Sequence, residues 1–108
     1  MKILFDQGTP VPLRRSLPNH DIATAFELGW QLLHNGELMR AAEAQDFAAL
    51  ITTDQNLRQQ QSLEGSRLAI LVLMTTDWHL IRQHLDYVRQ AIAGLAPGAY
   101  LELPFPPR

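Results

Sequence analysis

Leu50-Ile51-Thr52-Thr53-Asp54-Gln55-Asn56 is a short apolar run that ends in two hydroxyls, a carboxylate and an amide. Apolar residues with β-branched character that stop this abruptly read as a buried parallel strand, Ala49 to Thr53, whose carboxyl end opens into a polar crevice. In open α/β sheets ligands bind at that edge. The amino terminus repeats the pattern: Met1-Lys2-Ile3-Leu4-Phe5 is apolar and stops at Asp6. If the two strands are parallel neighbours, Asp6 and Asp54 project from one edge of the sheet. Converging carboxylates suit a hard divalent cation.

Working outward, Gln7-Gly8-Thr9-Pro10 gives a turn and a helix start, with Thr9 as N-cap, Pro10 in the first helical position and a short helix to about Leu17. A second strand is expected over His20 to Ala25. Phe26 to Leu33, interrupted by Gly29, reads as a loop that gives Phe26, Leu28 and Trp30 to the core. Asn35 is the expected N-cap of a helix from about Gly36 to Gln45. Asp54 can cap a polar segment to Ser62. Leu68 to Met74, the most apolar run, is the expected central strand, covered on both faces. Trp78, Ile81, Leu85, Val88 and Ile92 follow 3-4-3-4 spacing on one helix that starts at Thr76 or Asp77 and stops at Gly94. Ala99 to Leu103 adds a last strand, and Pro104, Pro106 and Pro107 make a tail unable to pair in a sheet. This alternation specifies an α/β layer fold, with crossovers expected to be right-handed.

Composition narrows the chemistry. A chain of 108 residues is one domain by size and has no cysteine, so disulfides, thiolate metal sites and a cysteine nucleophile are excluded. No apolar run approaches the ~20 residues of a membrane span, and no signal-like leader is evident, so a soluble, cytoplasmic protein is expected. A net charge of −2 argues against a broad electrostatic grip on nucleic acid. Arg14, Arg15, Arg40, Arg58 and Arg67 remain candidates for single phosphate contacts. Lys2 is the only lysine, which removes a phosphoacceptor receiver domain. No glycine-rich phosphate loop or strained serine turn is present, and the four histidines lack a ligand spacing.

The order of these motifs resembles a known family. Met1 to Asp6 followed by Thr9-Pro10, then His20-Asp21-Ile22, then Asn35-Gly36-Glu37-Leu38 before an alanine-rich helix, then Ile51 to Asn56, is similar to the small PIN-like proteins related to the Mut7-C domain. The resemblance covers roughly the first 60 residues. It implies a three-layer PIN-like fold, with a central, mainly parallel sheet of four or five strands flanked by helices, over residues 1–103, followed by a proline-rich tail at 104–108. It also implies a magnesium- or manganese-dependent nuclease that cuts RNA, often as the toxin of a toxin–antitoxin pair.

By resemblance, Asp6, Glu37 and Asp54 are the catalytic and metal-binding acids. Thr52, Thr53, Asn56 and Arg58 are expected beside them, as supports or substrate contacts. Asn56 stands where the family's Thr-x-Asp-x-Asp pattern has a second acid, and an amide ligates without charge. Simpler roles stand beside these: Asp6 can hold the turn before Thr9, Asp54 can cap a helix, and Glu37 suits a first helical turn electrostatically. The function expected is therefore RNA cleavage, with a small antitoxin protein and a second copy of the chain as candidate partners and no membrane. The alternative is a non-catalytic PIN-like module binding a protein or nucleic acid.

Overall fold

A computed structural model describes residues 1–57 and 65–106. Five short strands, β1 (Lys2–Phe5), β2 (Asp21–Thr24), β3 (Ala49–Thr52), β4 (Ala69–Leu73) and β5 (Tyr100–Leu103), form one sheet in the order β2-β1-β3-β4-β5. Every pairing is parallel. The expected α/β class is therefore the observed one, with β4 buried at all five positions as its uninterrupted apolar run requires.

Strand alternation sorts the core into two layers. Ile3, Phe5, Ile51, Leu71 and Leu73 point to one face, where they meet Leu13 and Leu17 and the helical residues Ile81, Val88 and Ile92. Leu4, Leu50, Ile70 and Val72 point to the other, against Leu38, Met39 and Ala42 of α1 (Asn35–Ala44) and against Phe47 and Leu57. The 3-10 helix Val11–Ser16 connects β1 to β2 over the first face, and α1 connects β2 to β3 over the second. The connection from β4 to β5 returns over the first face but steps the opposite way across the sheet. It therefore has the opposite hand to the β1–β2 connection, so the expected right-handedness does not hold for every crossover.

Three local expectations are revised. The stripe from Trp78 to Ile92 does pack on the sheet, but its helix is interrupted. α2 (Trp78–Ile81), started by Asp77 accepting from the Leu80 N–H, passes through a 3-10 turn at Arg82–His84 into α3 (Leu85–Ala93). The tail docks at this interruption. Phe105 packs edge-on to Tyr87 at 5.8 Å and near His84 at 6.3 Å, and the Tyr87 hydroxyl donates to the Pro104 carbonyl at 2.9 Å. Secondly, Trp30 packs against the α1-side core, edge-on to Phe47, whereas Phe26 and Leu28 face water. Gly29 at φ +75° closes a tight turn that turns them outward. Thirdly, Thr9 and Asn35 are not the N-caps; Pro10 and His34 occupy those positions. Both displaced side chains are drawn into the polar cluster at the carboxyl edge.

Candidate functional site at the carboxyl edge of the sheet

The strand order reverses direction between β1 and β3: β2 lies to one side of β1, and β3, β4 and β5 follow on the other. Such a reversal opens a crevice at the carboxyl ends of the two strands. Phe5 is level with Ile51, and the Asp6 N–H donates to the Ile51 carbonyl at 3.2 Å. Asp6 thus stands at the crevice beside Thr52, with Asp54 two residues further along. The two acids expected at one edge are at one edge.

Asp6 is 8 % exposed and held from three directions. Its Oδ1 accepts from the Gly8 N–H at 3.2 Å and the Thr9 hydroxyl at 2.7 Å, and its Oδ2 accepts from the Thr52 hydroxyl. The hydroxyl of Thr52, a residue 1 % exposed, in turn accepts from the Asp54 N–H at 3.0 Å. One buried hydroxyl therefore joins the side chain of the first acid to the backbone of the second. The Asp54 carboxylate accepts from the Asn56 N–H at 2.9 Å on Oδ1 and from the Asn35 side-chain amide at 2.7 Å on Oδ2. Thr53 packs against the Asp6–Thr9 loop so closely that a Cβ on Gly8 would lie 2.7 Å from its Oγ1.

The remaining expected members divide. Glu37 is exposed and serves its own helix: its carboxylate accepts from the His34 N–H at 3.2 Å, and the His34 side chain takes the Glu37 N–H, a reciprocal cap. Asn35, two residues earlier, is the α1 side chain that reaches Asp54. Asn56 engages Asp54 through its backbone, with its residue exposed. Arg58 lies outside the described residues, as does most of the polar segment expected after Asp54. Arg14 is committed to Glu27 at 2.7 Å and to the Ile22 carbonyl at 2.5 Å, whereas Arg15, Arg40 and Arg67 are exposed.

Asn35, Thr9 and Gly8 belong to the cluster but were not among the expected site residues. Their sequence signals are those of caps and a turn, because a short polar side chain at a helix start satisfies either role.

Among the described residues, no three histidine, aspartate or glutamate side chains gather as a metal-ligand group. The donor set that remains is all oxygen and carries two carboxylates, which is what magnesium takes when water and substrate phosphate complete its shell. A carboxylate offers about four acceptor positions; the three donors on Asp6 leave about one and the two on Asp54 about two. Acceptor positions therefore remain on both carboxylates for a hard cation, whereas Glu37 does not join them. A cavity of about 780 Å³ lies elsewhere, at the amino edge of the sheet, where Met1, Phe47, Ala48, Leu68 and Arg67 line it. Comparison with family models, with curated proteins and with solved structures returned no match for this chain.

Proposed function

We propose that this chain is a divalent-metal-dependent nuclease of PIN-like type that cleaves RNA. The observation that carries the reading is the position of Asp6 and Asp54 at the β1–β3 reversal, joined through Thr52, in the order the resemblance requires. Asp6 and Asp54 would hold one magnesium or manganese ion. Such an ion polarises a phosphoryl oxygen and lowers the pKa of an attacking water. The chain's own contribution is orientation. Thr9, Gly8 and Thr52 fix the Asp6 carboxylate, and Asn35 fixes that of Asp54, so neither needs to reorganise when charge arrives. A cytoplasmic location, a small antitoxin partner and self-association belong to the same proposal.

A second reading, a non-catalytic PIN-like binding module, draws on a specific observation. Both acids already serve the fold, Glu37 serves its helix, and Asn56 replaces an acid. Calorimetric titration of Mn²⁺ at pH 7 separates the two. The nuclease reading expects binding in the micromolar to sub-millimolar range that is lost in Asp54→Asn, with RNA cleavage lost alongside it. A folded wild-type protein that takes no Mn²⁺, with or without RNA, sinks the nuclease reading and leaves the binding module.

A further inference from the structure

Phe26 is the large side chain whose placement the candidate site does not explain. It is 74 % exposed, yet it sits in a turn whose residues on either side are hydrogen-bonded. Ala25 donates to the Phe5 carbonyl at 2.9 Å, Trp30 returns to the Ala25 carbonyl at 2.8 Å, and Gly29 donates to the Phe26 carbonyl at 3.1 Å. Glu27 and Thr24 exchange side-chain-to-backbone bonds at 3.0 and 3.1 Å, and Arg14 holds the Glu27 carboxylate. A flexible loop would fold such a ring onto the surface. This turn holds it out in water.

The turn is also fastened to the acid cluster. Gln7, next to Asp6, donates from its side-chain amide to the Gln31 carbonyl at 2.8 Å. Phe5 is level with Thr24, so Asp6 is level with Ala25, and Phe26 follows one residue beyond on the neighbouring strand's exit. Phe26 therefore leaves the sheet at the same edge as the candidate acids, one strand from Asp6 and two from Asp54.

We propose that Phe26 is a stacking platform for a base of the RNA whose backbone the Asp6–Asp54 cluster receives; this rests on the nuclease reading above. A polyanion bound by a chain of net charge −2 needs contacts that are not electrostatic, and the face of a base on an aromatic ring supplies them irrespective of sequence. Unstacked bases of a single strand offer that face, while a duplex conceals it. The ring orients the substrate and takes no part in bond making.

The test is fluorescence anisotropy of a labelled single-stranded RNA and of its duplex, in Ca²⁺ and in EDTA, with wild type, Phe26→Ala, Phe26→Trp and Leu32→Ala. Leu32 is 87 % exposed in the same loop but has no aromatic face, and neither truncation removes core packing, so all the variants should fold. Wild type should prefer the single strand. Phe26→Ala should weaken it about 10- to 100-fold, with Phe26→Trp retaining affinity and Leu32→Ala staying within about twofold. Unchanged affinity in Phe26→Ala, in a wild type that does bind RNA, overturns the platform and leaves the nuclease reading standing. No RNA binding by wild type in either condition removes both. Equal losses in Phe26→Ala and Leu32→Ala, or self-association that Phe26→Ala abolishes, reassign the loop to an apolar protein contact and overturn the platform.

Discussion

Thr52 shows how one hydroxyl can organise a site. It donates to Asp6 and accepts from the Asp54 backbone, in a position 1 % exposed, so neither bond can be replaced by bulk water. Thr52→Val keeps the shape of the side chain but leaves the buried Asp6 carboxylate and the half-buried Asp54 N–H each short of a partner, and the first of these costs about 1–3 kcal/mol when water cannot enter. We expect Thr52→Val to lose about 2 kcal/mol or more in urea denaturation, with Thr52→Ser near wild type. If Thr52→Val unfolds at the wild-type urea concentration, the bridge contributes nothing to stability. The identities of Asp6, Thr52 and Asp54 were legible from the sequence because each ends an apolar run. Their mutual bonds were not, since these depend on the β1–β3 register.

At the scale of elements, α1 separates two roles that one residue was expected to fill. Glu37 closes the reciprocal cap with His34, whereas Asn35 faces Asp54. Glu37→Ala should therefore cost roughly 0.5–2 kcal/mol of stability, the range for losing a cap, and leave Mn²⁺ affinity within about twofold. A calorimetric titration in which that variant loses metal binding would restore Glu37 to the ligand set. The strands and the inner face of α1 were readable from periodicity, as was the stripe from Trp78 to Ile92, because burial imposes the same spacing wherever these elements pack. The turn at Arg82–His84 was not readable: no glycine or proline marks it, and the tail residues that pack beside it, Pro104 and Phe105, lie some twenty residues downstream. Phe26 failed for a related reason. An aromatic residue after a strand is usually buried, and only the bonds around Gly29 reveal that this one points outward.

For the whole molecule, acid is the condition to vary. Burial, and secondarily the Met1 ammonium that contacts His20 at 3.1 Å, hold the His20 imidazole below its ordinary value of 6.5. A group whose proton affinity is lowered by folding contributes stability above its unfolded pKa and loses it as pH falls through the folded one. Stability should therefore begin to decline below about pH 6.5. Glu27 adds a separate decline lower down: its carboxyl lies below 4.5 chiefly through the Arg14 hydrogen bond, aided by the Thr24 N–H. Thermal melts from pH 8 to pH 4 should show the first decline in wild type and a flatter curve above about pH 5 in His20→Asn. Identical profiles for the two proteins would exclude His20 as its source.

The strand order also makes β2 and β5 the borders of the sheet, and at β2 the outward Ile22 carbonyl and Thr24 N–H are already taken by Arg14 and Glu27. Each border strand is only four residues long, Pro18 lies three residues before the first and Pro104 directly after the second, and neither proline can donate to a growing ladder. Asp21 and Glu102 add exposed negative charge to those borders, so two copies meeting border to border bring like charges together. The consequence is colloidal: the chain is guarded against edge-to-edge growth into β-aggregates, and crowding in concentrated solution should leave its sheet at five strands.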